Sequence, residues 1–306
     1  MFKFKKIRSY FGYDSGRNTR GSSRRLGEYL KFNRQLEYLE ARDVPANFTP
    51  GDIAVLDLAA ASGNTTGSIL ELNPTTVNQS STVQTIGISS IGSNAMRFSD
   101  SGTSSYLSTT DDGTLLTLAA YNTTDSIDAA IENSPASDRA VATLDSGANF
   151  TIQTTYTGTA GNQTRSATSN DDSNWYITDK GGLYTDNVTK PSLTTNILNA
   201  RSFGGTVFVS STKASSAIST VSSPSATTLT ALSGIPGDGS INDFYLIQSG
   251  VNGAAYDILY TVSGATVKKF SLVDGTWNAN GSATLSASGL SMIAQNNGDG
   301  GADLYY

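Results

Sequence analysis

Short runs of alternating apolar and polar residues recur after Pro50. Ser68–Leu72 and Phe150–Tyr156 show the period of two residues that is typical of a half-buried strand. Turn sequences such as Asp111–Gly113 separate neighbouring runs, because Asp and Gly tolerate the backbone of tight hairpins. No helical pattern of ten or more residues follows, and residues 124–138 have room for one helical turn at most. The pattern therefore predicts an all-β body.

Segments that resemble an innermost strand recur along this body, each followed by a turn and a second strand. They begin at Ala95, Arg165, Arg201, Asp243 and Leu290. Units of about 40–50 residues with four strands have the size of a β-propeller blade. We predict a β-propeller of about six blades, with the last blade incomplete. A β-sandwich or jelly roll is the main alternative.

The two ends of the body predict an open ring. Asp52–Leu58, Ser68–Leu72 and Val83–Ser89 supply three strands of a first blade, and the chain stops at Asp303–Tyr306 within the last one. We expect a returning C-terminal strand to complete the first blade. The sequence thus predicts that the body is truncated at its C-terminus by about one hairpin and one strand.

A change of charge divides the chain into a leader, residues 1–50, and the β-propeller-like body, residues 51–306. The net charge is +6 over residues 1–43 and −12 over residues 44–306, although the whole chain carries only −6. The acidic body argues against nucleic-acid binding, which needs clustered Lys and Arg. We predict that the leader is disordered or forms a short amphipathic helix over Arg24–Arg42, ended by Val44–Pro45.

The leader resembles a segment found near the start of many planctomycete surface and secreted proteins, with the pattern LE-x-LE-x-R-x-VPA. Leu36–Ala46 carries the resemblance, and basic residues precede it. The resemblance implies export to the bacterial cell surface or medium without an ordinary signal peptide. The leader is then expected to contact the export machinery or the cell envelope.

The body resembles bacterial propeller-like surface proteins, most of them uncharacterised. The resemblance lies in strand and turn chemistry, so it bears on the fold more than on the activity. Four segments carry it: Gly51–Leu56, Leu107–Tyr121, Arg139–Leu144 and Val267–Trp277.

Missing residue types limit the possible chemistry. The chain has no Cys and no His, which excludes disulfides, thiolate nucleophiles, imidazole bases and a Ser-His-Asp triad. It also lacks an apolar stretch of the length of a membrane span, which is about 18 residues, so no transmembrane segment is predicted. Catalysis would need carboxylates, Lys, Tyr or a bound ion.

Adjacent acidic residues occur at two places, Asp111–Asp112 and Asp171–Asp172. A glycosidase needs two carboxylates about 5–10 Å apart across a sugar, whereas neighbours on a turn point apart. We therefore interpret both pairs as turn residues and predict no catalytic or cofactor-binding residue. Trp175 and Trp277 could stack on sugars, but filling the space between blades is the more common role.

An oxygen-rich loop near the C-terminus is the one weak metal candidate. Calcium prefers such Asn and Asp loops, although this loop lacks the spaced acidic ligands and closing Glu of an EF-hand. A plain hairpin loop is the alternative, and no other cofactor is expected. The candidate ligands are Asn296, Asn297, Asp299 and Asp303.

These observations favour a non-enzymatic, exported cell-surface or matrix protein with a binding, adhesion or structural role. Its expected partners are glycans or protein surface ligands. The alternative is an extracytoplasmic, carboxylate-based glycan hydrolase or lyase that uses the axial pocket of the propeller. Convergence of Asp, Tyr, Lys or Arg at the axis would favour the enzyme, and a lining of Ser, Thr and Gly would favour the binder.

Overall fold

The structure is a computed structural model of the 306-residue chain. It describes residues 48–59, 63–76, 79–126, 130–134, 138–212, 216–237, 241–251, 253–298 and 301–306, together with the backbone of two short strands at residues 7–8 and 34–38. Strands dominate the described residues, and a short 3-10 helix at Ile131–Asn133 accounts for the predicted single helical turn. No helix in these ranges is long and apolar enough to span a membrane.

The described strands form six antiparallel sheets. The first contains β2 (Arg34–Tyr38), β3 (Ile53–Leu58), β4 (Gly67–Leu72) and β5 (Gln84–Gly87), and the second contains β6 (Ser108–Thr109), β7 (Leu116–Asn122), β8 (Asp138–Leu144) and β9 (Phe150–Tyr156). The third contains β10 (Thr164–Ser169), β11 (Trp175–Asp179) and β12 (Gly182–Tyr184), and the fourth contains β13 (Ile197–Phe203), β14 (Thr206–Ser211), β15 (Ile218–Val221) and β16 (Thr230–Ala231). The fifth contains β17 (Asp243–Gly250), β18 (Gly253–Ser263), β19 (Thr266–Val273) and β20 (Thr276–Thr284), and the sixth contains β21 (Ile293–Asn296), β22 (Ala302–Tyr305) and β1 (Ile7–Arg8).

The sheets form a closed ring. The first strand of each sheet contacts the next sheet along the chain, and β21 of the sixth sheet contacts β2 of the first. A separate apolar cluster fills each of the six interfaces between neighbouring sheets. The interface that closes the ring packs Ile293 and Tyr305 against Ile53, Val55 and the end of β4. The chain is therefore an all-β, six-bladed β-propeller, as the repeat predicted.

Strands from the leader take part in the ring, which corrects two expectations. Arg34–Tyr38 form a strand paired with Ile53–Asp57, not part of the helix predicted over Arg24–Arg42, whose other residues lie outside the described ranges. Pairing satisfies the edge of β3, and such tertiary pairing outweighs local helix preference. The first sheet thus obtains its fourth strand from upstream, not from a returning C-terminal strand. Ile7 and Arg8 pair with β22 in the last sheet.

The two tryptophans fill space between sheets, as expected. Trp175 belongs to the cluster between the second and third sheets, and Trp277 belongs to that between the fourth and fifth. Both side chains are 5% exposed or less, so neither presents a ring face for stacking on a sugar.

Truncating a side chain at the closing interface should destabilise the whole propeller. We expect Ile293→Ala to lower the free energy of unfolding by about 2–5 kcal/mol, because it leaves a cavity at a fully buried position. Chemical denaturation measures this loss. Ile91→Ala is the control, since Ile91 is 76% exposed and its truncation should cost less than about 0.5 kcal/mol. Equal losses in the two variants would contradict a packed closing interface.

Candidate functional site

The innermost strand of the second sheet is interrupted, and the interruption builds the centre of the ring. Arg97 and Thr109 both lie beside β7, but the residues between them leave the strand. Ser105 has a φ of 56°, in the left-handed region that non-glycine residues rarely adopt. This turn lets the backbone N–H of Tyr106 donate to the carbonyl of Arg165 on β10. The loop thereby places Tyr106 against the third sheet.

Five buried polar side chains lie on this loop and on the innermost strands of the third and fourth sheets, and we call them the central polar cluster: Ser105, Tyr106, Thr164, Arg165 and Asn199. Each is 4% exposed or less. Among the described residues, no hydrogen-bond partner reaches Ser105 Oγ, Thr164 Oγ1, Arg165 Nε, Arg165 Nη1 or Asn199 Oδ1. Buried polar atoms are normally paired with protein, ordered water or a ligand, so this concentration marks a candidate binding site.

Asp243 borders the cluster and is fully engaged by protein donors. Asn199 Nδ2 donates to it at 2.6 Å, and Arg201 donates through Nε at 3.1 Å and through Nη2 at 2.9 Å. From the segment that leads into β21 of the sixth sheet, Ser291 Oγ and the backbone N–H of Met292 each donate at 2.8 Å. This carboxylate therefore joins three sheets and has no free lone pair for acid–base work.

A second buried ion pair joins the second and third sheets. Arg139 donates to Asp179 and, at 2.8 Å, to the carbonyl of Thr159. Asp179 also accepts from the Tyr156 hydroxyl at 3.3 Å and from the backbone N–H of Gly181 at 2.6 Å. Both charges are satisfied, so this pair holds sheets together without offering an unfilled bond.

Burial controls the protonation of the cluster. The pKa of Tyr106 is raised by burial and by the charge of Asp243, and the cation of Arg165 opposes the shift. Burial also lowers the pKa of Arg165, against the effects of Tyr106 and Asp179. Tyr106 is therefore a neutral phenol at physiological pH, and Arg165 is a cation held in a poorly solvated place.

The sequence pattern identifies Arg165 and Asp243 only as starts of inner strands, and it does not mark Tyr106 as a site residue. The signal available was an Arg within an innermost strand of a chain with few charges. The sequence predicts a turn after the segment at Ala95 but does not show its geometry, because the left-handed residue is Ser105 and not the nearby Gly102.

The two acidic pairs lie in hairpin turns, as interpreted, but the fold brings the turns together. Asp111 accepts from Ser202 Oγ and from the Gly205 backbone N–H, both at 2.8 Å. Burial raises the pKa of Asp172, and the charge of Asp112 raises it further. The adjacent carboxylates thus serve to cap turns and to link neighbouring turns.

Asp171 shows the same structural use. Its carboxylate accepts from the backbone N–H groups of Ser173 at 3.0 Å and Asn174 at 2.7 Å. These bonds, with that from the Asn174 side chain, lower the pKa of Asp171. Within the described ranges, no group of three or more His, Cys, Asp or Glu side chains could hold a metal ion.

The calcium candidates lie at the hairpin between β21 and β22. Asn296 Oδ1 accepts from the Gly298 backbone N–H at 2.8 Å, and Asn297 Oδ1 accepts from that of Gly301 at 3.3 Å. Asp303 is largely buried within β22, and Asp299 lies outside the described residues. The two amide oxygens thus support the turn, and calcium binding here stays a prediction.

A carboxyl pair that the sequence did not reveal lies in the first sheet. Asp52 precedes β3 and Glu71 lies on β4, and both side chains are buried. Glu71 accepts from Gln84 Nε2 at 2.6 Å and from the Thr49 backbone N–H at 2.5 Å. Burial, followed by the charge of Glu71 and a hydrogen bond with it, raises the pKa of Asp52 to about 6. Asp52 thus keeps its proton to a higher pH than an ordinary carboxyl group does.

An open groove of about 690 Å³ lies away from the centre, against the outer strands β19 and β20. Ile235, Pro236 and Phe270 give it an apolar wall, and Lys268 adds one cation. It contains no carboxylate and none of the central polar cluster.

Comparison with known proteins gives remote structural similarity only. No protein-family model matches the chain, and no curated protein matches it either. Among solved structures, a glucose dehydrogenase is similar with a TM-score of 0.45 and 8% identity, over 89% of this chain and 95% of that one. An alpha-L-arabinanase of Penicillium chrysogenum, complexed with arabinobiose, is similar with a TM-score of 0.41 and 10% identity, over 90% and 76% of the two chains.

Breaking the Asp243 ion pair should be strongly destabilising. We expect Asp243→Asn to lower the free energy of unfolding by about 3–5 kcal/mol, because it removes one charge of the buried Arg201–Asp243 ion pair. Chemical denaturation of Asp243→Asn, Arg201→Met and the double variant measures the coupling. Asp138→Asn, at an exposed position, is the matched control. Additive losses in the double variant would show that the two side chains do not act as a pair.

The Asp52–Glu71 pair should make stability fall as pH rises. The folded-state pKa of Asp52, about 6, exceeds the ordinary value of 3.8 for an Asp carboxyl, so its stabilising proton is present below about pH 4 and is lost as pH passes 6. Asp52→Asn removes this titration, and its stability relative to wild type should rise between pH 4 and 8 by on the order of 2 kcal/mol. Thermal or chemical denaturation across that range measures the difference, with Asp274→Asn in an exposed turn as control. A pH-independent difference would contradict the pair.

Proposed function

We propose that this chain is a binding β-propeller whose ligand site is the central polar cluster. The observation that carries the proposal is a set of five buried atoms, on Ser105, Thr164, Arg165 and Asn199, for which the described residues provide no hydrogen-bond partner. Elsewhere at the centre, hydroxyls are satisfied by neighbouring strands. For example, Ser108 Oγ and Ser166 Oγ each donate to the Ala200 carbonyl at 3.1 Å. Ordered water is the alternative occupant of the cluster.

The chemistry of the cluster fits binding better than hydrolysis. Hydrolysis of a glycosidic bond needs one carboxyl as acid and a second as base or nucleophile. Among the described residues, Asp243 borders the cluster, and its oxygens are already occupied by Asn199, Arg201 and Ser291. The remaining members offer hydroxyls, an amide and a guanidinium, which orient a ligand.

A lyase is the second candidate, because a Tyr and an Arg lie together at the ring centre. In an elimination next to a carboxylate, a cation neutralises the carboxylate and a base removes the neighbouring proton. Arg165 has the character of the first group. Tyr106 would have to act as the base, and its raised pKa opposes that role. Because Tyr106 is poorly suited to act as a base, binding is the main proposal and the lyase is the alternative.

Export to the cell surface or medium is a separate part of the proposal. It is supported by the likeness of Leu36–Ala46 to the leaders of surface proteins and by the acidic, Ser- and Thr-rich body. The leader strand β2 includes Leu36–Tyr38 of that segment. In this proposal the same segment therefore serves for targeting and for folding.

Removal of one hydroxyl from the cluster tests the binding site. We expect the wild-type protein to bind members of an array of neutral and acidic glycans, and Tyr106→Phe to bind the same glycans about 5–10-fold more weakly, the loss typical of one hydrogen bond. Tyr306→Phe is the control, because it removes a phenol hydroxyl from the half-buried C-terminal residue. Dissociation constants for array hits are measured by titration calorimetry.

Two further readouts separate the alternatives. Unchanged affinity in Tyr106→Phe would place any glycan site elsewhere and contradict the proposal. New reducing ends, or the ultraviolet absorbance of an unsaturated sugar after incubation with the hits, would establish the enzyme instead. Fractionation of the native host with antibody detection tests export, and recovery in the cytosol would refute it.

A further inference from the structure

Three of the described arginines are buried in the interior of the ring, and the described residues provide a counter-charge for two of them. Arg139 pairs with Asp179, and Arg201 pairs with Asp243. Arg165 is 4% exposed, similar to the 2% of the other two. Within the described part of the chain, no carboxylate lies within ion-pair distance of Arg165, and its Nε and Nη1 have no hydrogen-bond partner.

An unpaired guanidinium in such a place is costly. Transfer of a charge from water to the interior is unfavourable unless a counter-charge and hydrogen bonds compensate it. The same burial lowers the pKa of Arg165, because it disfavours the charged, protonated form of the side chain. Arg remains protonated under all ordinary conditions, so loss of its proton offers no relief.

We propose that the counter-charge of Arg165 is supplied by the ligand, and that this ligand is a carboxylate-bearing sugar. The proposal rests on the binding function of the central polar cluster and names its ligand class. Guanidinium N–H groups match carboxylate oxygens in geometry as well as in charge. A carboxylate would thus satisfy Nε or Nη1 of Arg165 and neutralise the buried cation.

The rest of the cluster favours a hydroxylated anion over a simple one. Ser105 Oγ and Thr164 Oγ1 each donate or accept, and Asn199 Oδ1 accepts only. An acceptor such as Asn199 Oδ1 is unfavourable beside a bare anion, but it binds the hydroxyl of a sugar. Uronic acids combine one carboxylate with several hydroxyls, and therefore match both parts of the cluster.

The first test uses the protein without ligand. Arg165→Met replaces an unpaired buried cation by an apolar side chain of similar length, so we expect the melting temperature to stay the same or rise. Arg201→Met removes the partner of Asp243, and we expect a fall of several degrees. A fall in Arg165→Met as large as that in Arg201→Met would overturn the inference, because it would show that Arg165 is already compensated within the protein.

The second test compares two sugars that differ at one carbon. D-glucuronate carries a carboxylate where D-glucose carries a hydroxymethyl group, and calorimetry gives the affinity of each. We expect wild type to prefer D-glucuronate by about 10–100-fold, the range of a charge-assisted hydrogen bond, and Arg165→Met to lose the preference. Arg165→Lys should retain part of it. Lys268→Gln, in the outer groove, removes a cation from another place and should leave the preference unchanged.

The outcomes distinguish this inference from the function on which it rests. Equal affinity for the two sugars, with both weakened by Tyr106→Phe, overturns the carboxylate but supports the central site. A preference for D-glucuronate that survives Arg165→Met also overturns the inference. Failure of D-glucuronate to bind wild type overturns it too, whereas the glycan array and Tyr106→Phe decide the binding function independently.

Discussion

Closure of the ring is the constraint on which the rest of the structure depends. Each sheet has two apolar faces, and both faces are buried only when a neighbouring sheet packs against each of them. The closing interface, where Ile293 and Tyr305 pack against Ile53 and Val55, removes the last pair of exposed faces. Once the circle is complete, the innermost strands converge, and whatever side chains they carry are forced into a small, poorly hydrated centre.

Two kinds of polar group share this centre. The first kind is fully paired, as in Asp243 with Arg201 and Asp179 with Arg139, and each pair crosses from one sheet to the next. Such pairs fix the relative positions of sheets, since an apolar interface alone tolerates small slips. The second kind is the central polar cluster, whose bonds the described protein groups leave open. Because both kinds lie in one environment, the contrast between them is the basis on which we propose binding at the cluster.

Sequence patterns predicted the repeating architecture well, because strand alternation and turn chemistry are local. Phe150–Tyr156 forms a strand with the predicted bounds, and the inner strands near Arg165, Arg201 and Asp243 lie where the repeat placed them. Pairings between distant segments were not predictable in this way. The strand at Arg34–Tyr38 lies within a stretch whose leucines, Leu26, Leu30, Leu36 and Leu39, have helical spacing, and pairing with β3 makes it extended.

The same limit applies to the site. Asp52 and Glu71 are 19 positions apart, and the raised pKa of Asp52 depends on burial rather than on any motif. Tyr106 reaches Arg165 through an irregular loop, which no periodicity describes. Acidic pairs, by contrast, were correctly assigned to turns, because the chemistry of Asp in a turn is contained within three or four neighbouring residues.

The pairing of Ile7–Arg8 with Asp303–Leu304 has a consequence for how the chain is made. A ribosome synthesises one strand of the last sheet first and its partner almost 300 residues later. The early strand therefore stays unpaired until nearly the whole chain has been made. Contacts of such sequence separation form slowly, because the entropy of closing a long loop is lost before the contact is gained. In the meantime the nascent propeller exposes a sheet edge, and an early-folding segment of another copy would compete for it.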